Sequence, residues 1–361
     1  MKKTIAIACG DITQLGGIER VVCNFSENLI EFGGYDVIII SVNSNEGLPT
    51  YNLSSKVKLI HLGIKKSKSL LKRCFSYIGA VKNICEICRK NYVDIIIGTA
   101  AGLNIILYFV KKKNLIKIAC EHSNYDYLAF YASLVRRFVY TKLNAVVLLT
   151  QKDAENYNFC KNATVIPNTF FSHTKSFSDL QNNVVMSAGR FHKVKGFDLL
   201  IESVSLIKDK CADWKFKIFG DGDEKENLVK MVVQKNLENI IEIMPATKNI
   251  EKEYCKSSIY VLSSRHEPFG LVLLEAKSCG LPIVSFDCPN GPAEIIRDGI
   301  DGILVKNGDV EALSQAILKL IENPRLRRQY GQEAIKDVER FSPKRVFEMW
   351  EKLFADLIKE R

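Results

Sequence analysis

Two series of short apolar, β-branched runs alternate with stretches of helical periodicity along this chain, and that alternation leaves few folds open. In the first series Ile5–Cys9, Val37–Val42, Val57–Leu62, Asp94–Thr99, Ile116–Cys120 and Ala145–Thr150 read as strands. Most are apolar without a break, as strands buried on both faces of a parallel sheet must be. Helical patterns at Ile18–Glu31, Leu70–Arg89 and Leu128–Lys142 lie between them. In the second series the expected strands are Val184–Ala188, Phe216–Phe219, Ile240–Ile243, Tyr260–Ser263, Ile283–Phe286 and Ile303–Val305. Phe197–Ile207, Glu224–Lys235, Phe269–Cys279 and Val310–Glu322 are the helices between them, and Pro343–Lys359 closes the chain as a long amphipathic helix. Strands alternating with helices in this way make doubly wound α/β sheets. At 361 residues the chain suits two such domains. The polar, aperiodic stretch from Pro167 to Asn183, with Asn168 and Ser172, reads as the connection between them. The expected fold class is therefore α/β with two Rossmann-like doubly wound domains facing across a cleft. The expected division is 1–170, a linker at 171–183, 184–342, and a terminal helix at 343–361. Ligands of such sheets bind beyond the carboxyl ends of the strands.

Chemistry concentrates around Glu267 and Glu275, which bracket Pro268-Phe269-Gly270-Leu271-Val272-Leu273-Leu274. Pro268 suits a first helical position, where its missing N–H costs nothing, and Gly280 and Pro282 mark the stop. A carboxylate at Glu275, inside so apolar a stretch, needs a partner. Glu267 stands at the mouth of the helix, beside free amides and the positive end of the dipole. A helix that opens this way suits a diphosphate, and two nearby carboxylates suit the hydroxyls of a ribose and a hexose. The alternative is a helix-start acid and a core ion pair.

Other segments converge on the same reading. Gly189-Arg190 ends the first strand of the second series, and Lys193, Lys195 and Gly196 follow. Arg190 and Lys195 form a clamp for phosphate oxygens, or else are surface charges flanking a helix. Gly16-Gly17 precede the first helix, either to let backbone approach a phosphate or as a tight turn; the third glycine of a dinucleotide fingerprint is missing. His122, after the strand ending Cys120-Glu121, opens the polar loop Ser123-Asn124-Tyr125-Asp126, where it either contacts a ligand or makes a local hydrogen bond. Pro167-Asn168-Thr169 reads as a structural turn. Asp221-Gly222-Asp223 reads as a turn with helix-start acids rather than a metal site. His266-Glu267 lacks the second histidine of a zinc-protease helix, and Cys85 and Cys88 lack a second pair, so no metal is expected. No nucleophile elbow occurs.

Between Lys56 and Lys142 the chain carries 17 Lys/Arg against four Asp/Glu, although its overall net charge is only +10. Such a face either attracts an anionic partner or is a solvated lysine-rich surface. On the helix near 70–89, Leu70, Leu71, Cys74, Phe75, Ile78, Val81, Ile84, Cys85 and Cys88 form an apolar stripe flanked by Lys68, Lys72, Arg73, Lys82, Arg89 and Lys90. That helix either lies on an anionic membrane or faces the core. A nucleic-acid partner is not expected, because no recognition module accompanies the charge. Eleven scattered cysteines suit reduced thiols in a cytoplasm. Lys2 and Lys3 precede too short an apolar run for a secretory leader, and no run approaches a bilayer span.

Together, Glu267 to Glu275, Gly189-Arg190 with Lys195-Gly196, Gly16-Gly17, His122 and Pro167-Asn168 resemble retaining glycosyltransferase family 4, with the GT-B fold. The stretch Ser263–Val305, with Cys279-Gly280-Leu281-Pro282 and Gly291-Pro292-Ala293-Glu294, carries most of the resemblance. Glu121-His122-Ser123-Asn124 and Phe286-Asp287-Cys288-Pro289 resemble bacterial members that build surface glycans, such as capsule or O-antigen, on polyprenyl-diphosphate carriers. The resemblance implies transfer of a hexose or N-acetylhexosamine from a nucleotide-diphosphate sugar, UDP-linked by preference, to a lipid-linked or oligosaccharide acceptor. It implies that Glu275 holds the donor ribose, that Glu267 and His122 contact the transferred sugar, and that Arg190 and Lys195 neutralise the departing diphosphate. Backbone amides of Phe269, Gly270 and Leu271 would assist, and Gly16 and Gly17 would let the first domain close over the phosphates. It further implies no catalytic metal and no cofactor, a final helix crossing back to the first domain, and a cytoplasmic enzyme peripheral to the inner face of the membrane. A nucleotide-sugar epimerase and an inactive nucleotide-sugar-binding subunit are the alternatives.

Overall fold

The computed structural model describes residues 2–65, 70–122, 125, 130–171 and 176–360. Lys68, Ser123, Asn124, Asp126 and Ser172, and the first residues of the helix expected at 128–142, lie outside them. The chain forms two compact units: Met1–Phe171 with Phe341–Arg361, and Ser172–Arg340.

Unit 1 is a parallel sheet of β1 (Thr4–Cys9), β2 (Asp36–Ser41), β3 (Lys58–His61), β4 (Ile95–Gly98), β5 (Ile116–Cys120), β6 (Ala145–Leu148) and β7 (Ala163–Val165), in the order β3-β2-β1-β4-β5-β6-β7. Side chains alternate between its faces with the strand period of two. Ile5, Ile7, Ile39, Ile95 and Ile97 enter one core, and Ala6, Ile38, Ile40 and Ile96 enter the other. Both sets are apolar, so the strands read as unbroken runs. The helices are α1 (Gly17–Glu31), α2 (Leu70–Lys90), α3 (Ala101–Phe109), α4 (Phe130–Tyr140) and α5 (Gln151–Asn156). α3 escapes sequence periodicity because it is apolar on nearly every side. On α2, Ile84 and Cys88 are buried, and Val81 and Cys85 pack against the same core. The apolar stripe of that helix is thus core-facing from Val81 onward, and this half of it does not lie on a membrane.

Unit 2 is a parallel sheet of β8 (Val184–Ala188), β9 (Lys215–Gly220), β10 (Ile241–Pro245), β11 (Ile259–Leu262), β12 (Ile283–Asp287) and β13 (Gly302–Lys306), in the order β10-β9-β8-β11-β12-β13. Its helices are α6 (Phe197–Ile207), α7 (Lys225–Gln234), α8 (Ile250–Cys255), α9 (Leu271–Ser278), α10 (Gly291–Ile295), α11 (Val310–Glu322) and α12 (Pro324–Asp337). The last helix, α13 (Pro343–Lys359), belongs to unit 1, where Trp350 meets Phe25 at 4.6 Å between ring centroids. Two such doubly wound sheets are what the resemblance to the GT-B fold implied. Among the described residues no helix is long and apolar enough to cross a membrane, and every described cysteine is free.

Candidate active site

The strand order of unit 2 determines where a ligand can enter. From β8 the chain builds outward through β9 and β10, then returns beside β8 with β11 and builds the other way. Beyond the carboxyl ends of β8 and β11 the connections diverge, and this topological switch point is where such sheets leave a crevice.

The two loops at that point, 189–196 and 263–270, are laced together. Ser263 Oγ donates to the Lys195 carbonyl at 3.1 Å, and Arg265 N–H donates to the Val194 carbonyl at 2.8 Å. The Arg265 guanidinium donates to the Lys193 carbonyl at 2.8 Å and grips both Asp198 oxygens at 2.7 and 2.6 Å. Gly196 is left-handed (φ +64°), and a Cβ there would strike the Ser263 carbonyl, so only glycine permits this approach. The lacing sets Lys195 Nζ 2.6 Å from Glu267 Oε2, an oxygen that also accepts from Ser264 Oγ at 3.3 Å. A third loop joins them: Gly291 N–H donates to the Glu267 carbonyl at 2.9 Å, and Glu267 bridges Asn290 in parallel fashion. Cys288 sits beside this pair. Burial and then the Glu267 charge push its thiol up to about 12, against an opposite pull from Lys195.

The bridge to Asn290 keeps Glu267 extended, and this corrects the expected helix start. Pro268 is not in the first turn; α9 begins at Leu271, after Gly270 turns the chain at φ +100°. Glu267 precedes the helix, with its stem against Gly270. Leu273 N–H donates back to the Gly270 carbonyl at 2.9 Å, and the amides of Leu271 and Val272 come too early in the helix to have an acceptor within it. Glu275, one turn in, is buried and accepts from the Tyr254 hydroxyl at 2.9 Å. The Tyr260 hydroxyl is held above the usual phenol range by burial first, then by the charges of Glu275 and Glu267. The far end of α9 is anchored by Lys277, which is fully buried. Its Nζ lies 2.6 Å from Asp337 and 3.1 Å from Asp301 and donates to the Ile295 carbonyl at 2.8 Å.

Unit 2 thus brings together Lys195, Glu267, Glu275, Phe269, Gly270 and Leu271. Arg190 shares the first loop; its side chain is exposed and makes no hydrogen bond or ion pair among the described residues. Lys195, expected on a phosphate, is already held by Glu267. Asp221 and Asp223 lie in the turn before α7, where Asp221 Oδ1 accepts from Gly222 N–H at 3.0 Å. Sequence reasoning did not single out Tyr254, Asn290 or the Arg265–Asp198 fork, which act across the fold and leave no local signal, nor Ser264, whose bond to Glu267 three residues on lies within one loop.

The remaining candidates are in unit 1. His122 follows β5 and lines a cavity of about 30 Å³ with Thr99, Asn168 and Trp350, room for about one water. Burial pushes its pKa down to about 4, so the ring is neutral near pH 7. Thr169 Oγ1 accepts from Asn28 Nδ2 at 3.4 Å. Gly16 is the extended residue capping α1, and Gly17 is the first helical residue, with open space where a side chain would stand.

A family model for glycosyl transferases group 1 matches residues 168–337. An amylovoran biosynthesis glycosyltransferase of Erwinia amylovora is 31% identical over 361 residues, covering 96% of this chain and 98% of the relative. A poly(ribitol-phosphate) alpha-N-acetylglucosaminyltransferase of Staphylococcus aureus is 27% identical over 333 residues, covering 89% of this chain and 65% of the relative. Among solved structures, a sucrose-phosphate synthase from Thermosynechococcus elongatus superposes with a TM-score of 0.84 at 18% identity, over 100% of both chains.

Proposed function

The chain belongs to the glycosyl transferases of group 1, and from that premise we propose that it is a retaining family 4 enzyme moving a hexose or N-acetylhexosamine from a uridine-diphosphate sugar to a hydroxyl of a lipid-linked or polysaccharide acceptor. The pathway class is surface-glycan synthesis, in the cytoplasm against the inner face of the membrane. The observation that carries the reading is the Lys195–Glu267 pair beside the N-terminus of α9, at the switch point of the unit 2 sheet. The names of the Erwinia and Staphylococcus relatives support a biosynthetic role, and the latter supports an N-acetylhexosamine on a polymer.

The donor diphosphate lies at the N-terminus of α9, beside the amides of Phe269, Gly270 and Leu271. Arg190 and Lys195 supply the positive charge around it, so the reading requires no metal. Glu275, held by Tyr254, accepts from the ribose hydroxyls, and Glu267 accepts from the sugar. An arriving phosphate must compete with Glu267 for Lys195. As the glycosidic bond breaks, positive charge grows on the sugar and negative charge on the leaving diphosphate. Fixed cations facing that negative charge stabilise the transition state more than the ground state. The acceptor hydroxyl attacks on the face the diphosphate leaves and gives its proton to a donor phosphate oxygen, which retains the anomeric configuration. His122, Gly16 and Gly17 of unit 1 stay outside this scheme.

A thermal-shift screen of uridine- and guanosine-diphosphate sugars tests the donor, because a ligand of the native state raises Tm by mass action. Stabilisation by a uridine-diphosphate sugar, and an NMR spectrum showing product with the donor's anomeric configuration, are expected. Inverted product, or no response to any nucleotide sugar, would overturn the reading.

A further inference from the structure

The outward side of α4 carries a surplus apolar stripe. Tyr131, Leu134, Val135 and Phe138 stand at i, i+3, i+4 and i+7 and are 81%, 50%, 47% and 58% exposed. The inward side of the same helix holds Arg136, Val139 and Tyr140, all buried. A helix covering a sheet ordinarily turns its apolar stripe to the core and its polar residues to water. On α4 the outward face is apolar as well.

The stripe continues onto a neighbouring element. The Phe138 ring lies 6.1 Å from Tyr108, and Tyr108 lies 5.0 Å from Phe109, which is 51% exposed at the end of α3. Lys111, Lys112 and Lys113 follow directly and line one hollow with Arg89 and Lys117. Two of these cations are pinned in place, Lys112 Nζ on the Val93 carbonyl at 2.7 Å and Lys117 Nζ on the Tyr108 carbonyl at 3.0 Å. Lys142 Nζ lies 5.9 Å from the centre of the Phe138 ring. No Asp or Glu occurs from Ala101 to Cys120 or from Phe130 to Gln151, so neither segment contains an acid to offset the charge.

We propose that this face of unit 1 docks on an anionic lipid bilayer, with the α4 stripe and Phe109 in the headgroup–acyl boundary and the surrounding lysines over anionic headgroups. Aromatic rings favour that boundary, and an apolar helix face beside cations is how a helix lies in it without spanning. Charge argues against a second copy as the occupant, because a two-fold contact would set these cations against themselves. The proposal deepens the membrane-side acceptor reading given above. Vesicle binding is measured without a sugar nucleotide, so either idea can fail while the other stands.

The full chain is sedimented with vesicles of phosphatidylcholine alone and of equimolar phosphatidylcholine and phosphatidylglycerol. Pelleting with the mixed vesicles and not the neutral ones is expected at low salt. Changing the exposed Lys111→Gln, Lys113→Gln and Lys142→Gln together should lower partitioning roughly 10²-fold. Leu134→Ser with Phe138→Ser should lower it about tenfold or more, and thermal melts of both variants should match the parent. Equal pelleting with both vesicle types, pelleting with neither, or variants that bind like the parent would overturn the proposal. So would a parent dimer in sedimentation equilibrium that Leu134→Ser with Phe138→Ser makes monomeric.

Discussion

Replacing Glu267 by glutamine should strengthen the binding of UDP while weakening catalysis. In the free protein Lys195 Nζ is 2.6 Å from Glu267 Oε2, with side chains 24% and 10% exposed. Such a pair lies between an exposed one, worth under ~1 kcal/mol, and a fully buried one, whose disruption costs ~3–5 kcal/mol. A net value of about 1–2 kcal/mol is reasonable for this geometry. If the donor diphosphate must draw Lys195 away, binding loses that amount. Glu267→Gln keeps the shape, removes the competing charge, and should lower the Kd of UDP about 5–30-fold. UDP carries no sugar, so the lost contact between Glu267 and the transferred sugar does not enter this measurement. Isothermal titration of parent and variant with UDP reads it directly, and turnover of the variant should fall. UDP binding that is unchanged or weaker in the variant would refute the argument, since Lys195 would then serve the nucleotide without leaving Glu267.

Arg190→Ala should lower kcat by roughly 10²–10³, the loss typical of one electrostatic stabiliser, without moving Tm, because the side chain has no partner to lose among the described residues. Tyr254→Phe removes the 2.9 Å donor to Glu275 and should raise the donor KM by about tenfold with little change in kcat; equal loss in both would place Glu275 elsewhere in the mechanism. Lys277→Met removes the buried cation shared by Asp301 and Asp337, which keep Arg297 and Arg340, and should cost about 1–3 kcal/mol in chemical denaturation, whereas unchanged stability would mean that the two arginines hold the cluster alone. His122 titrates at about 4 in the folded protein against 6.5 ordinarily, so the unfolded chain takes the proton first. Its contribution to stability is complete above pH 6.5 and is lost as pH falls toward 4, and His122→Phe should flatten the parent's decline in Tm across that window.

Much of the site was legible without coordinates because its residues sit where local rules put them. Lys195 and Gly196 follow a strand and precede a helix, and Gly270 precedes another, so both loops announce themselves through the change of period between strand and helix. The partners of these residues were not legible. Nothing near Glu275 in sequence indicates Tyr254, which stands on the short helix α8 without periodicity of its own. The start of α9 was misplaced at Pro268 because a proline suits a first turn, whereas the extended bridge from Glu267 to Asn290 defers the turn to Gly270. α12 did carry a signal, since Asn323 caps it by accepting from Leu326 N–H and Pro324 follows at its first position. Its polar composition gave the helical period too little contrast to mark it.

Local periodicity was enough to specify two doubly wound sheets, because burial on both faces demands unbroken apolar strands, and that pattern is written residue by residue. Which loops meet was decided only by strand order. Lys195 and Glu267 are 72 residues apart and touch because β11 returns to the side of β8, past β9 and β10. On α4, periodicity allowed an apolar stripe, and packing alone determined that Val139 and Tyr140 turned inward while Tyr131, Leu134, Val135 and Phe138 faced solvent. The reason is common to both cases: a period of 2 or 3.6 describes neighbours along the chain, whereas contacts across a sheet depend on which elements the hydrophobic core brings side by side.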